Sequence, residues 1–127
     1  MVKYSLSKKE RLSSKKQISS LFKEGNSVFK YPYKLFYKII PAPDNSVSPV
    51  LFSVSVPKRK IKKAVKRNLI KRRTREAYRL NKYSLTDRVP QDKQLLIMFV
   101  YVGDKPEIYK LIEDAVKDLL TQIKISG

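Results

Sequence analysis

Alternating apolar and polar residues predict the strands of a sheet. Segments 33–40 and 50–56 place an apolar side chain at every second position, which is the period of a strand with one buried face. Leu95–Val102 is apolar at both parities and predicts a strand covered on both faces in the middle of the sheet. Segment 27–31 predicts an edge strand or the first half of a bent strand, because Pro32 interrupts any ladder. The turn-forming residues of loop 41–49 predict that the strands flanking it form a hairpin.

Apolar residues at helical spacing predict three helices. The first follows the N-cap residue Ser14 and ends at Gly25 in a left-handed turn. The second covers about Ile61–Lys82, where neither Gly nor Pro occurs. The third starts at a capping box formed by Asp104 and Glu107. The apolar faces of the first and third helices comprise Ile18, Leu21 and Phe22, and then Ile108, Leu111, Ile112, Ala115, Val116, Leu119, Leu120 and Ile123. The predicted order of elements along the chain is helix, three strands, helix, strand, helix.

Composition adds a partner class and excludes several chemistries. The 127 residues, 42% of them hydrophobic, predict one domain spanning 1–127. The chain has 29 Lys and Arg against 11 Asp and Glu, a net charge of +18 that calls for a polyanionic partner. It contains no Cys and no His, which excludes disulfides, Cys/His zinc sites, thiol nucleophiles and histidine acid–base catalysis. We therefore expect no catalytic residue and no metal ligand in this chain.

The charge is concentrated in the second predicted helix. Segment 58–79 holds twelve Lys or Arg and one acidic residue, Glu76. At 100° per residue, six polar side chains share an arc of about 140°: Arg67, Asn68, Lys71, Arg72, Arg75 and Arg79. The apolar residues expected on the opposite side are Val65, Leu69, Ile70, Ala77 and Leu80. Like charges four residues apart repel, so a polyphosphate partner explains this row better than a merely solvated face does.

The surroundings of the basic helix favour RNA over DNA. A helix-turn-helix would need a helix and a tight turn before the recognition helix, whereas here a strand ending at Pro57 precedes it. Phe22, Phe36 and Tyr37 stand close to basic residues, as aromatic rings that stack on unpaired bases do. The competing interpretation places Phe22 in the core and leaves Phe36 on a solvated strand face flanked by lysines.

One segment also carries a specific resemblance. Residues 64–78 read AVKRNLIKRRTREAY, with Ala-Val, Arg-Asn, Lys-Arg, Arg and an aromatic residue at fixed spacing. This pattern resembles the signature of the bacterial ribonuclease P protein subunit. The resemblance continues through Lys9–Gly25, the strands and the last helix, and so covers nearly the whole chain. It implies an α+β fold with a four-stranded sheet, order α-β-β-β-α-β-α, and a left-handed crossover. We also expect a flexible basic arm at 1–12.

The resemblance also implies a set of site residues. Those that resemble the family's RNA-binding residues are Arg11, Lys58, Arg59, Arg67, Asn68, Lys71, Arg72, Arg75 and Arg79. Those that resemble its cleft for the single-stranded 5′ leader of precursor tRNA are Phe22, Phe36, Ser55 and Ile18. Two features depart from the family pattern. Ile18 stands where a cleft aromatic is common, and Lys62-Lys63 replace a Gly-containing turn.

Function and partners follow from the same resemblance. It implies that this chain is the protein subunit of ribonuclease P, which assists magnesium-dependent endonucleolytic removal of the leader. Catalysis is then expected in the RNA. The RNA is also expected to bind most of the Mg²⁺, and the protein alone is expected to bind no Mg²⁺. The expected partners are the catalytic RNA and precursor tRNA, without DNA or membrane, for a protein that is cytoplasmic and monomeric outside the complex. A structural ribosomal protein is the alternative that size and charge leave open. A cationic membrane-active protein is disfavoured, because it would need an exposed apolar helix face and the apolar stripe of the last helix is expected to pack on the sheet. The longest apolar stretch has eight residues, too few for a membrane helix, which needs about 20.

Overall fold

The computed structural model describes residues 8–44, 46 and 48–125, which form one α+β unit. The helices are α1 (Lys15–Glu24), α2 (Ala64–Asn81), α3 (Tyr83–Thr86) and α4 (Tyr109–Gln122). The strands are β1 (Asn26–Lys30), β2 (Tyr33–Pro41), β3 (Val50–Ser55) and β4 (Lys93–Tyr101). The predicted order of elements is confirmed. The sequence pattern missed the four-residue helix α3 and one turn of 3-10 helix at Lys8–Glu10.

The sheet has the strand order β1-β2-β4-β3. Strand β4 is antiparallel to β2 and parallel to β3, which confirms its predicted place in the middle. Strand β1 lies at one edge, also as predicted. The predicted β2–β3 hairpin is wrong, because β4 lies between those two strands and takes the backbone hydrogen bonds of both. Helix α2 lies in the crossover that leads from β3 to the parallel strand β4.

The two faces of β4 support different helices. Its odd-numbered side chains, such as Ile97 and Phe99, belong to the main core together with buried residues of α2 and α4. Its even-numbered side chains Leu96 and Met98 pack with Leu21 of α1 in a smaller cluster. Helix α1 therefore lies on one face of the sheet, and α2 and α4 lie on the other. No helix within the described ranges is both long and apolar enough to cross a bilayer.

Helix α2 is rotated relative to the prediction. Its buried residues are Ile70, Thr74, Ala77 and Tyr78. Val65 is 76% exposed and Leu80 50% exposed, so placing them on the buried side was wrong. The reason is Thr74, a polar residue that is fully buried because its hydroxyl is hydrogen-bonded to the Tyr33 hydroxyl and to the Ile70 carbonyl.

The structure confirms the predicted cap at the start of α1 and corrects the predicted end of α1 and start of α4. Ser14 caps α1 by accepting a hydrogen bond from the Gln17 N–H at 3.3 Å, as predicted. Gly25 ends α1 in an extended conformation, φ −76°, rather than the left-handed one. It is required for space, because a Cβ there would lie 2.4 Å from the Leu21 carbonyl oxygen. Helix α4 begins at Tyr109 without a side-chain cap, so the predicted capping box at Glu107 is wrong.

The segment before α1 is attached to the sheet. The Leu12 N–H donates to the Phe52 carbonyl at 2.8 Å, and Leu12 is buried. Arg11 forms a parallel bridge with Phe52, while Glu10 pairs with Lys82. Within the segment 1–12, for which a flexible arm is predicted, Arg11 and Leu12 thus contact β3, and Glu10 contacts Lys82, the residue that follows α2. Residues 1–7 lie outside the described part of the chain.

Candidate nucleic-acid interface

The basic row predicted on α2 lies on its solvent side. Because the buried side of the helix is fixed by Ile70, Thr74 and Tyr78, the residues on the opposite arc point away from the core. Asn68, Arg72 and Arg75 are exposed. The remaining members, Arg67, Lys71 and Arg79, are partly buried. The helix therefore positions a cationic ridge along one side of the protein.

Most of the predicted RNA-binding side chains are unpaired within the described residues. No ion pair or side-chain hydrogen bond there involves Lys58, Arg59, Asn68, Lys71, Arg72 or Arg75. Glu76, the acidic residue of α2, pairs with Arg79 at 2.9 Å instead. The unpaired side chains keep their full donor capacity for phosphate oxygens. Their mutual repulsion opposes folding, and a bound polyanion would relieve it.

Arg67 differs from the other residues of the row. Its Nη1 donates to the carbonyls of Ile61 and Lys62 at 2.9 and 2.8 Å. These bonds fix the loop that enters α2, where the N-cap position is occupied by Lys63 and has no side-chain cap. Arg67 therefore has a structural role besides any contact with RNA.

Arg67→Ala is expected to lower the free energy of unfolding by about 1–3 kcal/mol, because two carbonyls lose a charged donor. The measurement is urea denaturation of the free protein. Arg72→Ala is the matched control, since the Arg72 side chain is exposed and has no described partner. We expect that control to stay within about 0.5 kcal/mol of wild type. Equal stability of both variants would contradict the structural role of Arg67.

A basic cavity joins the row to the segment before α1. Arg11, Ser13, Ser53 and Arg75 are among the residues that line this space of about 310 Å³. Two guanidinium groups beside two hydroxyl groups can bind one phosphate group with several charge-assisted hydrogen bonds. The structure thus brings together Arg11 and Arg75, which are far apart in sequence. Ser13 and Ser53 were missed, because only the pairing of the N-terminal segment with β3 places them here.

A second surface lies on the α1 side of the sheet. The rings of Phe22 and Phe36 meet edge to face with centroids 4.7 Å apart. Phe22 is 46% exposed, so the interpretation of it as a core residue is wrong. The Lys34 Nζ lies 5.1 Å from the centroid of the Phe36 ring. We call Phe22, Phe36 and Lys34 the aromatic patch.

The other two predicted cleft residues lie at the margins of the aromatic patch. Ile18 packs against the cluster that contains Leu21 and Leu96, so it mainly supports α1. Ser55 ends β3, and its register through Val100 of β4 leads to Lys34 of β2. It therefore shares a face with the patch but lies two strands away. Lys58 and Arg59 follow Ser55 in an exposed turn.

Lys38, the other lysine beside Phe36, holds α1 in place. Its Nζ donates to Glu24 at 2.7 Å and to Ser20 at 2.8 Å. The same ammonium group lowers the pKa of the Glu24 carboxyl below its usual value, through this hydrogen bond and charge attraction. Lys34 makes no ion pair in the described part of the chain. The two lysines therefore differ in role, and only Lys34 has its charge available beside the aromatic rings.

Comparison with known proteins identifies the family. The sequence profile of the family described as Ribonuclease P matches residues 6–124. The Ribonuclease P protein component of Porphyromonas gingivalis is 38% identical over 98% of this chain and 88% of that protein. The protein of the same name from Chlorobium phaeobacteroides is 33% identical over 96% of this chain and 90% of its own length.

Solved structures confirm the fold. The RNase P protein from Thermotoga maritima superposes with a TM-score of 0.70 at 22% identity, covering 91% of this chain and 98% of that one. The RNase P protein of Staphylococcus aureus gives a TM-score of 0.65 at 20% identity, with coverage of 88% and 93%. The signature in α2, the match over nearly the whole chain and the shared architecture agree. This chain belongs to the ribonuclease P protein family.

Proposed function

We propose that this chain is the protein subunit of a ribonuclease P holoenzyme, which removes the 5′ leader of precursor tRNA. The observation that carries the proposal is the presence, on one small domain, of two different surfaces suited to nucleic acid. The cationic row on α2 includes Lys71, Arg72 and Arg75, which make no ion pair or side-chain hydrogen bond within the described residues, and a partly exposed aromatic patch lies across the sheet on the α1 side. A folded RNA and an unpaired strand require such different surfaces.

The cationic row suits the catalytic RNA. Folded RNA offers its phosphates at its surface, and each cation that contacts a phosphate releases condensed counterions. Arg72 and Arg75 are exposed on one side of a rigid helix, so their spacing is set before the RNA binds. Because the guanidinium group is a planar fork with several donors, each arginine loses less side-chain entropy per hydrogen bond formed than a lysine does.

The aromatic patch suits the single-stranded leader. Phe22 and Phe36 form an apolar corner on which an unpaired base can stack, and Lys34 places a positive charge next to it for the following phosphate. A base in a duplex has no free face to offer such a corner. The patch therefore favours precursor tRNA over the mature product, which has no leader.

The proposed role leaves the hydrolysis to the RNA. The chain has no His or Cys, and no group of three Asp or Glu side chains that could hold a metal ion is found among the described residues. We assign the magnesium ions mainly to the RNA. The contribution of the protein is electrostatic: it screens phosphate repulsion and holds the leader.

Cleavage of a precursor tRNA by the cognate catalytic RNA at low magnesium tests this function. We expect the protein to accelerate cleavage strongly, and the gain to shrink when the leader is shortened to one nucleotide. The matched control is the same assay at high magnesium and high salt. There the dissolved ions screen the phosphates of the RNA, so the protein should accelerate cleavage less. Tight RNA binding without any acceleration would reject the proposal and leave a structural RNA-binding protein.

A further inference from the structure

One large aromatic side chain neither packs in the core nor belongs to the aromatic patch. Phe29 of β1 is 60% exposed and makes no ring contact within the described residues. Its neighbours on the strand do serve the fold, because Val28 packs against the main core and Lys30 pairs with Asp118 of α4 at 3.3 Å. The alternation of the strand therefore directs Phe29 to the opposite, α1 side of the sheet.

Register places Phe29 next to the aromatic patch. Phe29 lies directly opposite Lys34, and directly opposed residues of antiparallel strands share a face. Phe36 follows two residues after Lys34 on the same face, which makes it a diagonal neighbour of Phe29. Such neighbours have Cα atoms about 7–8 Å apart. Lys34 is therefore a neighbour of both Phe36, which follows it on β2, and Phe29, which pairs with it across the strands.

We propose that Phe29 is a second stacking platform, which binds one further unpaired nucleotide of the leader beside those held at Phe22 and Phe36. Two rings with one lysine adjacent to both can bind two neighbouring bases and the phosphate that joins them. Lys34 has no ion pair in the described part of the chain, so its charge is available for that phosphate. This inference rests on the proposed function, because it takes the leader as the occupant of this face.

The arrangement gives the sheet edge a function that the fold does not require. Ile18, at the other end of the face, is packed into the α1 cluster and offers no ring to a base. Phe29 extends the aromatic surface in the opposite direction, toward the β1 edge. The leader should therefore gain affinity from a nucleotide that reaches β1.

The test is equilibrium binding of precursor and mature tRNA to the reconstituted holoenzyme, with a series of leader lengths. Phe29→Ala should weaken binding of precursor tRNA by about 5-fold to 150-fold, the range expected for loss of one stacked base. Binding of mature tRNA should not change. The lost affinity should appear at a single step of the leader-length series, which identifies the nucleotide. Phe29→Trp should retain binding, whereas Phe29→Leu, which keeps an apolar side chain without a ring, should behave like Phe29→Ala.

Controls separate failure of this inference from failure of the proposed function. Ile108→Ala removes a side chain that is 67% exposed beside α4, on the other side of the sheet, and should leave precursor binding unchanged. If Phe36→Ala weakens precursor binding but Phe29→Ala does not, or if Phe29→Leu binds like wild type, the second platform is rejected while the leader surface stands. If the wild-type holoenzyme binds precursor and mature tRNA equally, the leader assignment itself is wrong.

Discussion

Replacing Arg72 and Arg75 together with Ala is expected to reduce affinity for the catalytic RNA by at least 100-fold. Both guanidinium groups are exposed on α2 and unpaired within the described residues. A hydrogen bond to a charged group contributes about 1.5–3 kcal/mol, so two lost contacts cost about 3–6 kcal/mol, a factor of roughly 10² to 10⁴. The slope of log affinity against log salt should fall by about 1.5, at 0.7–0.9 for each lost phosphate contact.

A matched variant removes the same charge elsewhere. Lys117 and Lys124 are exposed at α4 and just beyond it, away from the row. Their replacement with Ala also lowers the net charge by two, and we expect it to change RNA affinity by less than about 3-fold near physiological salt, where distant charges are screened. Filter binding over a salt series measures both variants. An equal loss from the two pairs would show that total charge, rather than the α2 row, determines binding.

Phe99→Ala is expected to lower the free energy of unfolding by about 3–5 kcal/mol. Phe99 is fully buried in β4, and its ring contacts those of Tyr33 and Phe52 at centroid distances of 5.3 and 5.6 Å. Removing the ring opens a cavity between strands that cannot move independently. Because domains of this size have about 5–15 kcal/mol of stability, the loss is a large part of the total.

Urea denaturation of Phe99→Ala and Phe29→Ala compares the loss of the same side chain at a buried and at an exposed position. Both changes delete the same ring, but Phe29 is 60% exposed and its loss should cost less than about 0.5 kcal/mol. The expected result is a large drop in the urea midpoint for Phe99→Ala and almost none for Phe29→Ala. Similar midpoints for the two variants would contradict the assignment of Phe99 to the core.

The elements that were predictable from sequence carry their signal locally. The alternation in β2, the doubly apolar β4 and the cap at Ser14 depend on neighbouring residues alone. The pairing of the strands does not. A turn-rich loop between two strands favours a hairpin, and only long-range contacts show that β4 separates β2 from β3. The rotation of α2 was missed for the same reason, because Thr74 is polar and is buried only through its distant partner Tyr33.

The candidate site was predictable to a similar extent. The spacing in α2 predicted which residues form the row, and the structure places them together on one side of the helix. Their contacts with RNA stay predictions. The structural role of Arg67 was not predictable, since its partners are backbone carbonyls whose position depends on the loop before α2. Phe29 was missed because its exposure depends on which helices cover each face of the sheet.

Because β4 is central in the sheet, the folding of both the α2 row and the aromatic patch depends on it. Leu96 and Met98 support the helix that carries Phe22, while Ile97 and Phe99 belong to the core beneath α2. A nascent chain that has not yet made residues 93–101 lacks the partner strand of β3 and must wait for a contact distant in sequence, which is a slow kind of step. Both surfaces are therefore expected to form together, late in synthesis. An incomplete chain should present neither the α2 row nor the aromatic patch in its folded arrangement.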